Sequence, residues 1–349
     1  MKAMVLTAYG RLELAEMPAP EAGPGEVLVR VEACGICGSD VHGFDGSTGR
    51  RIPPIIMGHE AAGTVAAVGA GVTAYAVGDR VTFDSTIYCG ACEFCQRGEI
   101  NLCSNRQVIG VSCDEFRRHG AFAEFVALPE RILYKLPADF SFSDAAMLEA
   151  VSVGLHGVKV LELAGSESVL VIGAGMIGLL ALQAAKALGA RRVLCADVDA
   201  TRLVLARQIG ADEVICASGD ELVAAIHKLT DGRGVDAVIE AVGRKETVAA
   251  AIDAVRKGGR VALVGNLAPE VVLPLQKVVT RQIRLQGSCA SAGEYPLAIE
   301  LIASGKIQVR PLITAVAPLE EGPRWFERLY NREPNLMKVI LSPAAGVQE

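Results

Sequence analysis

The stretch Val169-Leu170-Val171-Ile172-Gly173-Ala174-Gly175-Met176-Ile177-Gly178 limits the possible folds of this chain more than any other segment. Ser168–Ile172 reads as a buried strand, the glycines as a tight turn, and Met176 to Leu188 as a helix stopped by Gly189. Glycines in this spacing make the turn, let the backbone approach a pyrophosphate, and allow the helix to pack closely on the strand. The free N–H groups and positive dipole end of the helix then face the phosphates. The pattern that follows supplies the context this motif needs. Strands are expected at Arg192–Ala196, Glu213–Cys216, Val235–Glu240, Gly259–Val264 and Ile283–Gly287. Helices are expected at Ala200–Ile209, Glu221–Leu229 and Glu246–Val255. Strands alternating with helices imply parallel βαβ units, and six strands is the count of a doubly wound dinucleotide fold. Asp197 ends the second strand, 19 residues beyond Gly178. A carboxylate there can accept both ribose hydroxyls of NAD and repel the 2′-phosphate of NADP. The expected dinucleotide contacts are therefore Gly173, Gly175, Met176, Ile177, Gly178 and Asp197. Arg202 is nearby and could bind a phosphate, although beside Asp197 it reads more naturally as a helix-surface residue.

At 349 residues the chain is too long for one ordinary core, and its texture changes near residue 150. Before that point it reads as short alternating strands, such as Glu26–Glu32 and Gly63–Val68, separated by Gly/Pro turns. After residue 290 comes one helix, Glu294–Ala303, and a final apolar run, Lys338–Leu341, with the look of a strand returning to the first domain. The expected division is a β-rich domain over residues 1–152, a dinucleotide domain over 153–289, and a tail, 290–349, that completes the first. The net charge of −6 is modest and no basic tract is present, so nucleic acid is not an expected partner. No apolar run is long enough for a membrane span, and Met1–Leu6 runs straight into a strand pattern rather than a signal peptide. The expected location is the cytoplasm. In that reducing setting the ten cysteines point to metal rather than disulfides. Cys195, Cys216 and Cys289 sit in apolar surroundings and are expected to be buried thiols.

Cys89, Cys92, Cys95 and Cys103 form a four-thiolate set, with seven residues between the last two. Short C-x-x-C loops bring sulfurs within reach of a tetrahedral zinc, and four protein ligands close its shell, so this site is expected to be structural. Three further segments carry potential ligands: Cys34-Gly35-Ile36-Cys37-Gly38-Ser39-Asp40-Val41-His42, Gly58-His59-Glu60, and Leu148-Glu149-Ala150. Each alone has an ordinary explanation: a satisfied core histidine, or a helix carboxylate.

With the quartet and the glycine motif, in this order, these segments resemble the zinc-containing medium-chain dehydrogenases, within them the sorbitol, galactitol-phosphate and threonine dehydrogenase branch. The resemblance covers essentially the whole chain. It implies an α/β fold, a Rossmann sheet joined to a β-rich GroES-like catalytic domain. It also implies two zinc ions per chain, NAD as hydride acceptor, a small alcohol or ketone as substrate, and a homodimer or homotetramer. The catalytic zinc would be held by Cys37, His59 and an acidic residue, Glu149, with adjacent Glu60 able to reach the metal. Asp40 would support the ligands from behind. Zinc would lower the alcohol's pKa, Ser39 would accept its proton, and His42 would end the relay. The implied reaction is hydride transfer between a polyol or sugar alcohol, free or phosphorylated, and NAD. Oxidation of L-threonine at its 3-hydroxyl is the alternative within the branch. A zinc-free enone reductase and a non-enzymatic nucleotide-binding protein on the same fold are the alternatives outside it. The intact Cys37, Ser39, His59 and Glu149 set argues against both. Two departures bear on the substrate. Gly43 stands where sorbitol dehydrogenases often carry an aromatic, and the segment Gly110–Gly120, with Arg117 and Arg118, is longer than the resemblance leads one to expect.

Overall fold

The computed structural model describes residues 1–113 and 115–343. Its chain divides into two compact units, residues 1–149 with 312–349, and residues 150–311.

The second unit is built on six parallel strands: β1 (Ser168–Ile172), β2 (Arg192–Asp197), β3 (Glu213–Cys216), β4 (Val235–Glu240), β5 (Val255–Leu263) and β6 (Arg284–Gly287). Their order is β3-β2-β1-β4-β5-β6. This is the expected doubly wound sheet, whose strand order reverses between β1 and β4. β1 is buried at every position and pairs in register with β2 (Leu170 opposite Leu194) and with β4 (Leu170 opposite Val238). A strand covered on both faces must be apolar throughout, which is why its sequence shows no alternation. The helices Met176–Ala187, Ala200–Gln208, Gly219–Leu229 and Lys245–Ala254 fall within a few residues of their expected bounds. Cys195, on β2, is buried as expected, but Cys216 and Cys289 are exposed. Cys216 ends β3, an edge strand with no neighbour on its outer side among the described residues, and Cys289 lies just beyond β6 at the other edge.

In the first unit the long strand Glu26–Gly35 pairs with Glu60–Val68, with Phe125–Pro129 and with Lys338–Ser342. These belong to a seven-stranded sheet that also holds Arg80–Phe83, Leu133–Lys135 and Ile313–Pro318. The core contains Val27, Val29, Val31, Val65, Phe83, Phe122, Leu128 and Phe326. Alternation holds along Glu26–Gly35 only as far as Val31. From Val31 to Gly35 every residue is buried, and the chain then turns into the short helix Gly38–Gly43. The ligand-bearing segment is therefore rooted in the most covered part of the sheet. Among the described residues, no helix is long and apolar enough to cross a membrane.

Candidate active site and metal centres

The sulfurs of Cys89, Cys92, Cys95 and Cys103 all lie within 4.8 Å of one another. Cys92 and Cys95 are 3.5 Å apart, Cys89 and Cys95 4.0 Å. A tetrahedron with metal–sulfur bonds of about 2.3 Å has edges of about 3.8 Å, so the four thiols fit zinc without rearrangement. Backbone N–H groups add to the fit. Cys89 N donates to Cys103 Sγ at 3.2 Å, Cys92 N to Cys89 Sγ at 3.4 Å, and Asn105 N to Cys103 Sγ at 3.4 Å. Such donors favour thiolate: those of Cys95 and Ser104 hold the Cys92 thiol down at about 6. The lobe has little apolar core of its own and is tied to the unit by a two-stranded ladder, Thr86–Ile87 with Gln107–Val108. Replacing Cys92 by Ser is therefore expected to lower zinc content from two to one per chain. Structural zinc contributes about 10–16 kcal/mol in small domains, so losing a quarter of that would lower Tm by about 5 °C or more. Metal analysis and calorimetry check this; a variant with two zincs and an unchanged Tm contradicts it.

Cys37, His59 and Glu60 form the second set, again with one ligand atom each within 4.8 Å of the others. Cys37 caps the helix Gly38–Gly43, its sulfur accepting from Ser39 N at 3.4 Å. His59 ends a loop and Glu60 begins the strand Glu60–Val68. Thiolate, imidazole and carboxylate are a zinc donor set with one position left for a fourth ligand. The field agrees. Burial opposes charge on the His59 ring, but Asp40 and Cys37 outweigh it and raise its pKa well above the ordinary value. The group of side chains is arranged around a positive charge. Among the described residues His59 Nδ1, which is buried, has no hydrogen-bond partner, and it lies 3.4 Å from Asp40 Oδ1. Nε2 is 3.5 Å from Ser39 Oγ. A carboxylate behind one ring nitrogen, with the other turned toward Ser39, is an arrangement a metal-ligating histidine uses.

The two acidic candidates differ in their partners. Glu60 is buried and receives Lys338 Nζ at 2.5 Å; the same ammonium donates to the Ile36 carbonyl at 3.2 Å. Glu149 lies outside the compact set and is half-buried, with Ser85 Oγ donating to it at 3.4 Å. Burial pushes its carboxyl up to about 7, Glu60 and Asp84 adding to that push and His59 opposing it. Asp40 goes the other way. Burial alone would raise it, but His59 and Arg51 together hold it at about 2. Ser39 and His42 are exposed on the short helix. Arg51 and Lys338 were not anticipated from the sequence. Neither stands in a motif, and their pairings span 11 and 278 residues.

In the other unit the glycine motif takes its expected form. Gly178 must lack a side chain, because a Cβ there would lie 1.8 Å from the Gly173 carbonyl. Gly175 is different. It precedes the helix Met176–Ala187 with no side-chain cap, and a Cβ there would meet only open space. Packing within the protein therefore does not require that glycine. Asp197 closes β2 and accepts from Ala174 N at 2.6 Å and Asp199 N at 2.9 Å, which holds the carboxylate beside the glycine turn. Arg202 points to Asp199, 3.6 Å away, and stays half in solvent. Arg118 is tied to Gln107 at 2.7 Å.

Comparison with known proteins agrees with both halves. Residues 23–138 match the model of the alcohol dehydrogenase GroES-like domain, and residues 177–304 that of the zinc-binding dehydrogenase. Sorbitol dehydrogenase of Bacillus subtilis (strain 168) is 33% identical over 347 residues, covering 98% of this chain and 97% of its own. The crystal structure of galactitol-1-phosphate dehydrogenase from Escherichia coli superposes with a TM-score of 0.90 at 30% identity, covering 98% of this chain and 100% of that one. A zinc-binding dehydrogenase from Sinorhizobium meliloti 1021, solved bound to NADP, gives 0.89 at 33% identity over 98% and 99% of the two chains.

Proposed function

This chain belongs to the zinc-binding alcohol dehydrogenases with a GroES-like domain, and from that premise we propose that it oxidises a secondary alcohol of the polyol or sugar-alcohol class, free or phosphorylated, with NAD. The observation that carries this reading is the clustering of Cys37, His59 and Glu60 beside the exposed hydroxyl of Ser39. An acidic third ligand at Glu149, with Glu60 adjacent to the metal, is what the resemblance to the polyol branch implies. Its substrates in the relatives are sorbitol and galactitol 1-phosphate.

Cys37, His59 and Glu60 would hold zinc, with Glu149 as a further carboxylate close by. Bound there, zinc supplies Lewis acidity that lowers the pKa of an alcohol, and the nicotinamide supplies the hydride acceptor. The rest falls to the chain's own groups. Asp40 orients the His59 ring from behind. Ser39 Oγ would take the alcohol proton while giving its own hydroxyl proton toward His42, exposed one turn further on, which releases a proton to solvent. Gly173, Gly175, Met176, Ile177 and Gly178 seat the pyrophosphate on the helix end, and Asp197 takes the ribose hydroxyls. The test is NADH formation across a panel of polyols, their phosphates and L-threonine. Activity on a polyol or its phosphate is expected; a preference for L-threonine would move the enzyme to the other arm of its branch, and inactivity on all would refute the substrate class.

We further propose a homo-oligomer, dimer or tetramer, in the cytoplasm. Among the described residues β6 leaves a sheet edge unpaired, and Val272, Leu275 and Val279, in the segment preceding it, are 71%, 66% and 67% exposed. Edges and apolar patches of this kind favour pairing with another chain. All ten cysteines are free of disulfides, in keeping with a reducing compartment. Light scattering should give a multiple of the 36.6 kDa chain mass; a monomer mass would refute the assembly.

A further inference from the structure

Arg51 belongs to none of the motifs, yet it is only 4% exposed, and each of its three guanidinium nitrogens is engaged. Nε and Nη2 donate to Asp40 Oδ1 at 3.2 and 2.9 Å, Nη2 also reaches Ser39 Oγ at 3.4 Å, and Nη1 donates to the Arg50 carbonyl at 3.0 Å. We propose that Arg51 is a positioning residue for His59 and Ser39, and that residue 43 is glycine so that this guanidinium can reach them. The proposal rests on the reading of Cys37, His59 and Glu60 as zinc ligands.

Three observations carry it. First, Asp40 is completely buried, and a buried carboxylate keeps a fixed place only with a cation against it. The oxygen that receives the guanidinium fork is the one 3.4 Å from His59 Nδ1. Arg51 thus fixes the atom that faces the ring, leaving Nε2 toward Ser39. A planar fork does this, whereas an ammonium would supply the charge without the geometry. Second, the backbone that presents Arg51 is itself clamped. Arg51 pairs with Ser112 in a β-bridge, Ser112 N donates to the Arg50 carbonyl at 3.3 Å, and Ser112 Oγ to the Ile52 carbonyl at 2.9 Å. Ser112 lies in the long segment Gly110–Gly120, whose Asp114 is outside the described residues. That segment thereby acquires a role in holding the site from behind. Third, a Cβ on Gly43 would lie 2.4 Å from Arg51 Cγ and 3.3 Å from its Cβ. Gly43 closes the short helix with an unexceptional backbone, so glycine is needed there for room and not for torsion.

The test is zinc release from the holoenzyme under a competing chelator, with the quartet zinc as internal reference, followed in wild type, Arg51→Ala, Arg51→Lys, Gly43→Ala and the Gly43→Ala/Arg51→Ala pair. Arg51→Ala is expected to weaken one zinc by about 10-fold or more, the size of losses seen when a ligand's supporting partner is removed, and Arg51→Lys to restore it only in part. The quartet zinc should be unaffected. Gly43→Ala should weaken the same zinc by about 10-fold alone but less than about 2-fold in the Arg51→Ala background, because the 2.4 Å overlap with Cγ is then gone and only the 3.3 Å contact with the Cβ of residue 51 remains. Gly43→Ala and Arg51→Lys keep the buried charge, so they report even if Arg51→Ala fails to fold. Unchanged zinc affinity in Arg51→Ala, or an equal cost of Gly43→Ala in both backgrounds, overturns the positioning role. A wild type that holds only the quartet zinc overturns the reading of the site itself, and this proposal with it.

Discussion

Replacing His59 by Ala is expected to lower kcat/KM by about 1,000-fold or more while changing the Kd for NAD by less than about 3-fold. The size follows from what is lost. His59 supplies one of three side chains in a compact ligand set, and Lewis-acid stabilisation of an oxyanion is worth several kcal/mol. At 1.4 kcal/mol per tenfold, about 4 kcal/mol is a thousandfold. The selectivity follows from where the residues lie. His59 is in the unit of residues 1–149, whereas the glycine turn and Asp197 are in that of residues 150–311. Metal analysis should show one zinc per chain, since the quartet does not involve His59. Turnover, zinc content and a dinucleotide fluorescence titration check this together. A parallel fall in NAD affinity, or activity within tenfold of wild type, would defeat the assignment.

The second large effect concerns cofactor choice. The wild type should favour NAD over NADP by about 100-fold or more in kcat/KM. A 2′-phosphate facing Asp197 would be a like-charge contact costing several kcal/mol, against two charge-assisted hydrogen bonds from the ribose of NAD. A relative from Sinorhizobium meliloti 1021 was solved bound to NADP. Asp197→Ser should cut NAD efficiency and raise that of NADP. The structure gives a reason for the second half. Asp197 now occupies the N–H groups of Ala174 and Asp199. Shortening it frees two donors beside the ribose position, where a phosphate could take them, with Arg202 close by on the following helix. Measuring kcat/KM for both cofactors decides it. A wild type equally efficient with NADP would mean that Asp197 does not face the ribose.

What could be read from the sequence and what could not separate along contact distance. β1, β3 and β4 have the expected bounds, because each is an apolar run closed by turn-forming residues. The cysteine quartet and the glycine turn were legible for the same reason: their geometry is produced within a few consecutive residues. The exposure of Cys216 was not, since a local pattern does not say which strand lies at a sheet edge. The resemblance put Glu149 ahead of Glu60 as the acidic ligand. Only packing shows that Glu60 joins the compact set while Glu149 rests against Ser85. Arg51 and Lys338 were invisible as site residues. Arg51 stands in a loop beside Arg50, where a solvated pair is the natural reading, and Lys338 at the head of an apolar strand, where a charge looks like punctuation.

The Lys338–Glu60 pair carries a consequence for how the protein is made. Its two charges are 278 residues apart. At translation rates of about 5–20 residues per second, Glu60 leaves the ribosome roughly 14–56 seconds before its cation exists. Throughout that interval the sheet around Glu26–Gly35 also lacks Lys338–Ser342, the strand that pairs with its end. The unit of residues 150–311 is continuous in the chain and can complete itself in the meantime. The zinc-binding half must wait, holding a carboxylate that would be costly to bury alone. Its metal site is thus among the last features to close during synthesis.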